Sequence, residues 1–181
     1  HREELKLHFN PVEYLSFTGD SVAPVRSYVY KEVDGQQLHF ALYSDDVTTQ
    51  RPAVILIHGG GWQYGNYLRT NNWPKLLREA GYQVISLEYR LAAPDNPTWD
   101  KAPADIKDAV AHIKTYAPRL GIKTDSIALL GQSAGGHLAL LEANTSVNVQ
   151  AVVGLYAPTD LKSDYELSID KDSELAFLGG T

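Results

Sequence analysis

Apolar residues along this 181-residue chain follow two rhythms, short β-rich runs and longer stretches at helical spacing, and the two alternate. Val25–Lys31 and Gln37–Tyr43 flank Val33-Asp34-Gly35, whose Asp-Gly pair marks a hairpin turn between two strands. Thr48–Pro52 reads as a loop, and Ala53–Ile57 as a buried strand bounded by Pro52 and Gly59. Trp73–Ala80 predicts a helix, with Pro74 tolerated in its first turn and Gly81 as its stop. A strand follows over Tyr82–Glu88. From Asp100 to about Tyr116, Ile106, Ala109, Val110 and Ile113 recur on one helical face. Ile127–Leu130 predicts a third core strand, Ala134–Glu142 its following helix, and Gln150–Tyr156 a fourth strand.

Strands that alternate with helices predict an α/β fold, a mostly parallel twisted sheet covered by helices on both faces. The opening hairpin adds antiparallel strands at one edge. Residues 1–23 are mixed and polar and read as an N-terminal extension, leaving 24–181 as one domain. The tail, Thr159–Thr181, is acidic and reads as loop.

Composition narrows the function classes. A net charge of −6 gives no electrostatic footprint for nucleic acid, and the apolar runs are too short to cross a bilayer. With no cysteine, disulfides and thiolate metal sites are excluded within these residues, and the compartment stays open. The absence of methionine even at position 1 predicts that the chain begins downstream of a natural start, with His1 a remnant of a linker.

The chemistry concentrates where two strands end. Ser126–Gly136 is an apolar run closing in Gly131-Gln132-Ser133-Ala134-Gly135, a Gly-x-Ser-x-Gly pentapeptide between a strand and a helix. That context predicts a serine on a sharp turn, with Ser133 Oγ pushed above the sheet and the Ala134 N–H free at the helix start. After the Ala53–Ile57 strand comes His58-Gly59-Gly60-Gly61-Trp62. Successive glycines let a backbone approach a ligand and aim several N–H groups into one small space. Gly60 and Gly61, with Ala134, are the expected donors to an oxyanion. A phosphate cradle would need a Gly-Lys-Ser/Thr ending or G-x-G-x-x-G spacing, and neither is present.

His-Gly-Gly-Gly-Trp at 58–62, Glu-Tyr-Arg-Leu-Ala at 88–92 and Gly-Gln-Ser-Ala-Gly-Gly-His at 131–137 resemble the α/β-hydrolase superfamily. More narrowly they are similar to hormone-sensitive-lipase-like carboxylesterases, from about residue 25 onward. The resemblance implies hydrolysis of a small-molecule carboxylic ester through an acyl-serine, without metal or organic cofactor. It implies Ser133 as nucleophile, and Gln132 where relatives often carry an acid. It also implies that 24–181 is the N-terminal two-thirds of a single α/β-hydrolase domain, with the triad acid and histidine after later strands, expected beyond Thr181, and with residues 159–181 starting a lid-like insertion. An arylformamidase-like amide hydrolase and a non-catalytic binding protein of the same fold are the competing readings.

Other residues carry two readings each. Trp62 and Tyr64 either wall the substrate pocket or pack the glycine loop. His58 reads as a brace of that loop, His137 as structural support, and His112 as a surface residue. Asp160 reads as a cap or loop brace rather than a catalytic acid. Arg90 and Asp105 read as a structural ion pair. The acidic cluster Asp164, Glu166, Asp170, Asp172 and Glu174 lacks calcium-loop spacing and reads as solvated. The Gln150–Tyr156 strand should leave an unpaired edge, an expected site of self-association.

Overall fold

The computed structural model describes residues 22–168 and 171–180. Residues 1–21, nearly all of the expected N-terminal extension together with His1 and His8, lie outside them, as does Asp170. In chain order the elements are β1 (Arg26–Val33), β2 (Gln36–Leu42), β3 (Arg51–Ile57), α1 (Trp73–Glu79) and β4 (Gln83–Leu87). These are followed by α2 (Lys101–Tyr116), β5 (Ile122–Gln132), α3 (Ala134–Thr145), β6 (Ala151–Leu155), α4 (Leu161–Leu167) and α5 (Asp172–Leu178).

The six strands form one sheet in the order β1-β2-β4-β3-β5-β6. β1 pairs antiparallel with β2, and β2 with β4; the remaining pairs are parallel. Because side chains alternate across a strand, the β3 run serves two cores at once. Ala53, Ile55 and Ile57 face one side, with Ile85, Leu87, Ile127 and Leu129, and meet α2 and α3 through Ile106, Val110, Ile113 and Leu138. Val54 and Leu56 face the other, with Val84 and Leu130, beneath Trp73 and Leu77 of α1. Each fully buried side chain of this size contributes roughly 1.5–3 kcal/mol. Helices therefore cover both faces of a mostly parallel sheet.

The outer parts of two strands depart from the expected boundaries. β3 begins at Arg51, inside the expected Thr48–Pro52 loop, and β5 begins at Ile122 rather than Ile127. Arg51 pairs with Ile122, and the register shifts between Arg51 and Ala53, at Pro52, which has no N–H to give to a ladder. Periodicity does not reveal this pairing, since Lys123, Thr124 and Asp125 are polar and exposed.

The tail also differs from the loop expected for it. Asp160 accepts hydrogen bonds from the N–H groups of Lys162 (3.1 Å) and Ser163 (3.2 Å) and caps α4. α5 closes on Gly179 in a left-handed conformation, and Phe177 buries the helix against the core.

Candidate active site

β3 and β5 run side by side to the same end, with Ile57 opposite Gly131, so the segments that leave them emerge together. Ser133 sits between β5 and α3 at φ 50, ψ −122, a backbone conformation non-glycine residues avoid. It is held there by its N–H, which donates to Leu155 O of β6 at 2.9 Å. Its carbonyl accepts the His137 N–H at 3.0 Å and opens the helix. The turn is tight enough that a β-carbon on Gly131 would overlap the Gly135 carbonyl, and one on Gly135 the Ile57 and His58 carbonyls.

The glycine loop lies against this turn. Gly60 and Gly61 have φ of 125° and 56°, in the left-handed half of conformational space. The Gly60 carbonyl accepts the N–H groups of Gln63 (3.0 Å) and Tyr64 (2.9 Å), folding the loop back on itself. Among the described residues, the N–H groups of Gly60, Gly61 and Ala134 donate to no protein acceptor. These N–H groups lie in the serine turn itself and in the loop that touches it at Gly59.

His58 anchors the first peptide of the loop. Its Nδ1 lies 2.8 Å from the Gly59 carbonyl oxygen, which can only accept, so Nδ1 carries the proton. In a trans peptide the Gly60 N–H points opposite to that carbonyl, so the bond fixes the N–H direction too. The ring stacks on Tyr89 at 4.4 Å, and the Tyr89 hydroxyl donates to the His58 carbonyl at 2.9 Å. Burial lowers the His58 pKa, outweighing the Gly59 hydrogen bond, so the ring is held neutral. With Arg69, Thr70 and Gln132 it lines a cavity of about 10 Å³, the size of one water.

The two aromatic residues of the loop part company. Trp62 is only 2% exposed, stacked on Phe177 at 4.7 Å and met edge-on by His137 at 5.5 Å. It packs the loop against α5 and α3. Tyr64 is 69% exposed at the loop's outer end.

The remaining candidates are placed as follows. Arg90 grips Asp105 with Nε (2.8 Å), Nη2 (2.9 Å) and its own N–H (3.1 Å), and Lys31 Nζ adds 2.8 Å from β1. His39 of β2, with no expected role, lies 3.2 Å from Glu88, the residue after β4. His112 is half-buried against Phe40 and Tyr116 rather than fully at the surface. Asp160 is exposed, and the Ser163 hydroxyl and N–H hold its carboxyl below the usual range. Among the described residues no histidine ring hydrogen-bonds the Ser133 hydroxyl, and no three His, Asp or Glu side chains are gathered to hold a metal. No described helix is long and apolar enough to cross a membrane. Reading the chain gives Phe177 no role; its cue is the short apolar run Leu175-Ala176-Phe177-Leu178 at the end of an acidic tail.

Comparison with known proteins gives the family and the fold. The chain is 30% identical over 153 residues to the non-reducing polyketide synthase nvfA of Aspergillus novofumigatus, covering 75% of this chain and 7% of that protein. It is 38% identical over 102 residues to the probable carboxylic ester hydrolase LipM of Mycobacterium tuberculosis, covering 55% of this chain and 23% of LipM. The butyrate-bound esterase of Thermogutta terrifontis superimposes with a TM-score of 0.62 at 27% identity, covering 75% of this chain and 54% of that one. The chain thus spans about half of that esterase and a smaller share of the curated relatives. A family model described as BD-FAE matches residues 41–181. A serine on a strained strand-to-helix turn, within an α/β-hydrolase sheet matched over most of its length, places the chain in the BD-FAE family of α/β-hydrolase-type esterase domains.

Proposed function

We propose that this chain carries the nucleophile and the oxyanion-stabilising half of a serine carboxylesterase for small to medium acyl esters. The observation that carries the reading is Ser133 on a strained turn, in contact at Gly59 with a loop whose Gly60 and Gly61 N–H groups, like that of Ala134, have no backbone acceptor among the described residues. Ser133 Oγ attacks the ester carbonyl carbon, and the three N–H groups receive the charge that develops on the carbonyl oxygen. The alcohol departs with a proton and leaves an acyl-serine, which water then hydrolyses. The butyrate bound to the Thermogutta terrifontis esterase supports a short acyl chain.

The base and its orienting acid come from outside the described residues, with the region beyond Thr181 as their expected source. His39, His58, His112 and His137 are each engaged with other partners. This same observation favours a second reading, an ester-binding protein of the same fold that does not turn substrate over.

Hydrolysis of p-nitrophenyl butyrate by residues 1–181, and by a longer protein containing them, separates the two, each with a Ser133→Ala control. Turnover by the longer protein that Ser133→Ala abolishes supports the esterase. Binding of ester without turnover by either form supports the binding protein. Robust Ser133-dependent turnover by residues 1–181 alone overturns the placement of the base outside them.

A further inference from the structure

We propose that α5 is a positioning element for the glycine loop, and that Phe177 is the positioning residue that keeps the Gly61 N–H group aimed at the serine turn. The inference rests on the esterase reading and adds to it a role for a helix far along the chain from both motifs.

The argument begins at Trp62. Its φ of 58° lies in the left-handed region, where a bulky aromatic stays only if its surroundings hold it. Two kinds of contact do so. The Trp62 carbonyl accepts the Ala92 N–H at 2.8 Å, which fixes the peptide leaving the residue. The indole is stacked on the Phe177 ring at 4.7 Å, with planes 21° from parallel, and the His137 ring stands edge-on to both. Phe177 is therefore the flat surface against which Trp62 is pressed.

α5 is itself tied down on its far side. The Phe177 carbonyl accepts the N–H groups of Thr98 (3.2 Å) and Trp99 (3.0 Å), fastening the helix to the loop before α2. Its first turn covers Gly61 directly. A β-carbon on Gly61 would collide with the Ser173 hydroxyl and lie 3.0 Å from Ser173 Cβ. The Ser173 hydroxyl also donates to Gln63 Oε1 at 3.4 Å. Two α5 side chains, four positions apart on one helical face, thus contact the loop at Gly61, Trp62 and Gln63.

Glycines make this hold consequential. If Trp62 relaxes to negative φ, the Gly61–Trp62 peptide swings, and neither Gly60 nor Gly61 has a side chain to resist the motion. His58 fixes the loop only at its first peptide. The Gly60–Gly61 peptide, which carries the Gly61 N–H, is held by the Gln63 and Tyr64 N–H groups, and both bonds reach across Trp62. Without the Phe177 ring, a Trp62 that leaves positive φ carries those two N–H groups away, the Gly61 N–H loses its fixed direction, and stabilisation of charge in the transition state falls while ground-state binding hardly changes.

The test uses the longer protein with Phe177→Ala, Phe177→Leu, Phe177→Tyr and Ser173→Ala, and Ser133→Ala as control. Two readouts are taken on folded variants: hydrogen exchange of a peptide spanning 58–64, and kcat and KM for p-nitrophenyl butyrate. Phe177→Ala is expected to speed exchange in that peptide and to lower kcat about 10- to 100-fold with KM within about twofold. Phe177→Tyr, which keeps the ring, restores both. If Phe177→Ala does not fold, Phe177→Leu and Ser173→Ala are expected to shift both readouts in the same direction by less. Unchanged exchange at 58–64, with activity that still depends on Ser133, overturns this inference alone. Faster exchange in a protein with no Ser133-dependent turnover supports the hold of α5 on the loop and overturns the esterase reading alone.

Discussion

Gly59 and Ser133 are so close that a β-carbon placed on Gly59 would lie 3.3 Å from Ser133 Cβ and 2.8 Å from the Gln132 carbonyl oxygen. The glycine loop and the serine turn are therefore in contact through backbone. Gly59→Ala inserts a methyl group at the contact, and the obstacle is backbone that cannot rotate away. Overpacking of this kind costs about 1–3 kcal/mol, so the variant should fold with a lowered Tm. Because the loop must retreat from the serine, kcat for p-nitrophenyl butyrate in the longer protein should fall about 10- to 100-fold with little change in KM. Wild-type kcat in a folded Gly59→Ala protein would show that the loop does not act with Ser133.

Much of this arrangement is legible in the chain because it is local. Ala53–Ile57 and Ile127–Leu130 are apolar runs that end in glycine motifs, and adjacency of the two strands brings the motifs together. The hairpin at Asp34-Gly35 and the α2 face through Ile106 and Ile113 are likewise written in neighbouring residues. What the chain conceals is non-local. Nothing near Trp62 names Phe177 as its partner, and whether Trp62 packs or lines a pocket depends on that partner. The polar start of β5 is strand because Arg51 pairs with Ile122, a tertiary fact that overrides its composition. The tail was readable in part, since Asp160 followed by Leu161-Lys162-Ser163 carries a helix-capping signal within an otherwise polar stretch.

The Asp105 carboxylate is fully buried and shared by Arg90 and Lys31, joining β1, the segment after β4, and α2. Removing one member of a buried ionic cluster leaves the others desolvated and uncompensated. Asp105→Asn should therefore cost about 3 kcal/mol, a fall of roughly 6–12 °C in Tm for a chain of this size. Asp34 reaches Arg90 at 2.8 Å as well, but its side chain is 67% exposed. Asp34→Asn, which removes the charge but keeps a residue that tolerates the left-handed turn at φ 52°, should cost less than about 1 kcal/mol. Thermal melts of both variants check the pair, and equal losses would contradict a cluster centred on Asp105.

β6 pairs with β5 along one side, and its other side has no partner strand among the described residues. Val153, in the middle of that strand, is 47% exposed. An apolar strand with an open edge is a template for pairing between copies. Light scattering of residues 1–181 should show a mass that grows with concentration, and Val153→Lys, which sets a charge on the strand, should lessen it. A monodisperse monomer at high concentration would count against association through this edge.

His58 links the glycine loop to pH. Burial lowers its pKa from the ordinary 6.5; the Gly59 carbonyl and Glu88 favour the charged ring and Arg69 opposes it, all less than burial does. The folded protein thus takes up the His58 proton at a lower pH than the unfolded chain. Between 6.5 and the folded-state value the unfolded chain binds more protons, so stability rises with pH across that window. The contribution of a neutral His58 is complete above 6.5 and is lost as pH falls toward the folded-state value. Burial lowers His112 and His137 in the same direction, so the wild-type curve alone does not isolate His58. His58→Phe keeps an aromatic ring against Tyr89, but it neither takes up a proton nor donates to the Gly59 carbonyl. Urea unfolding of wild type and His58→Phe from about pH 8 to about pH 5 should give a stability gap that is widest at the alkaline end and narrows into acid. A gap that stays constant across the range would mean that His58 titrates alike in the folded and unfolded chains. The loop would then not depend on a neutral ring.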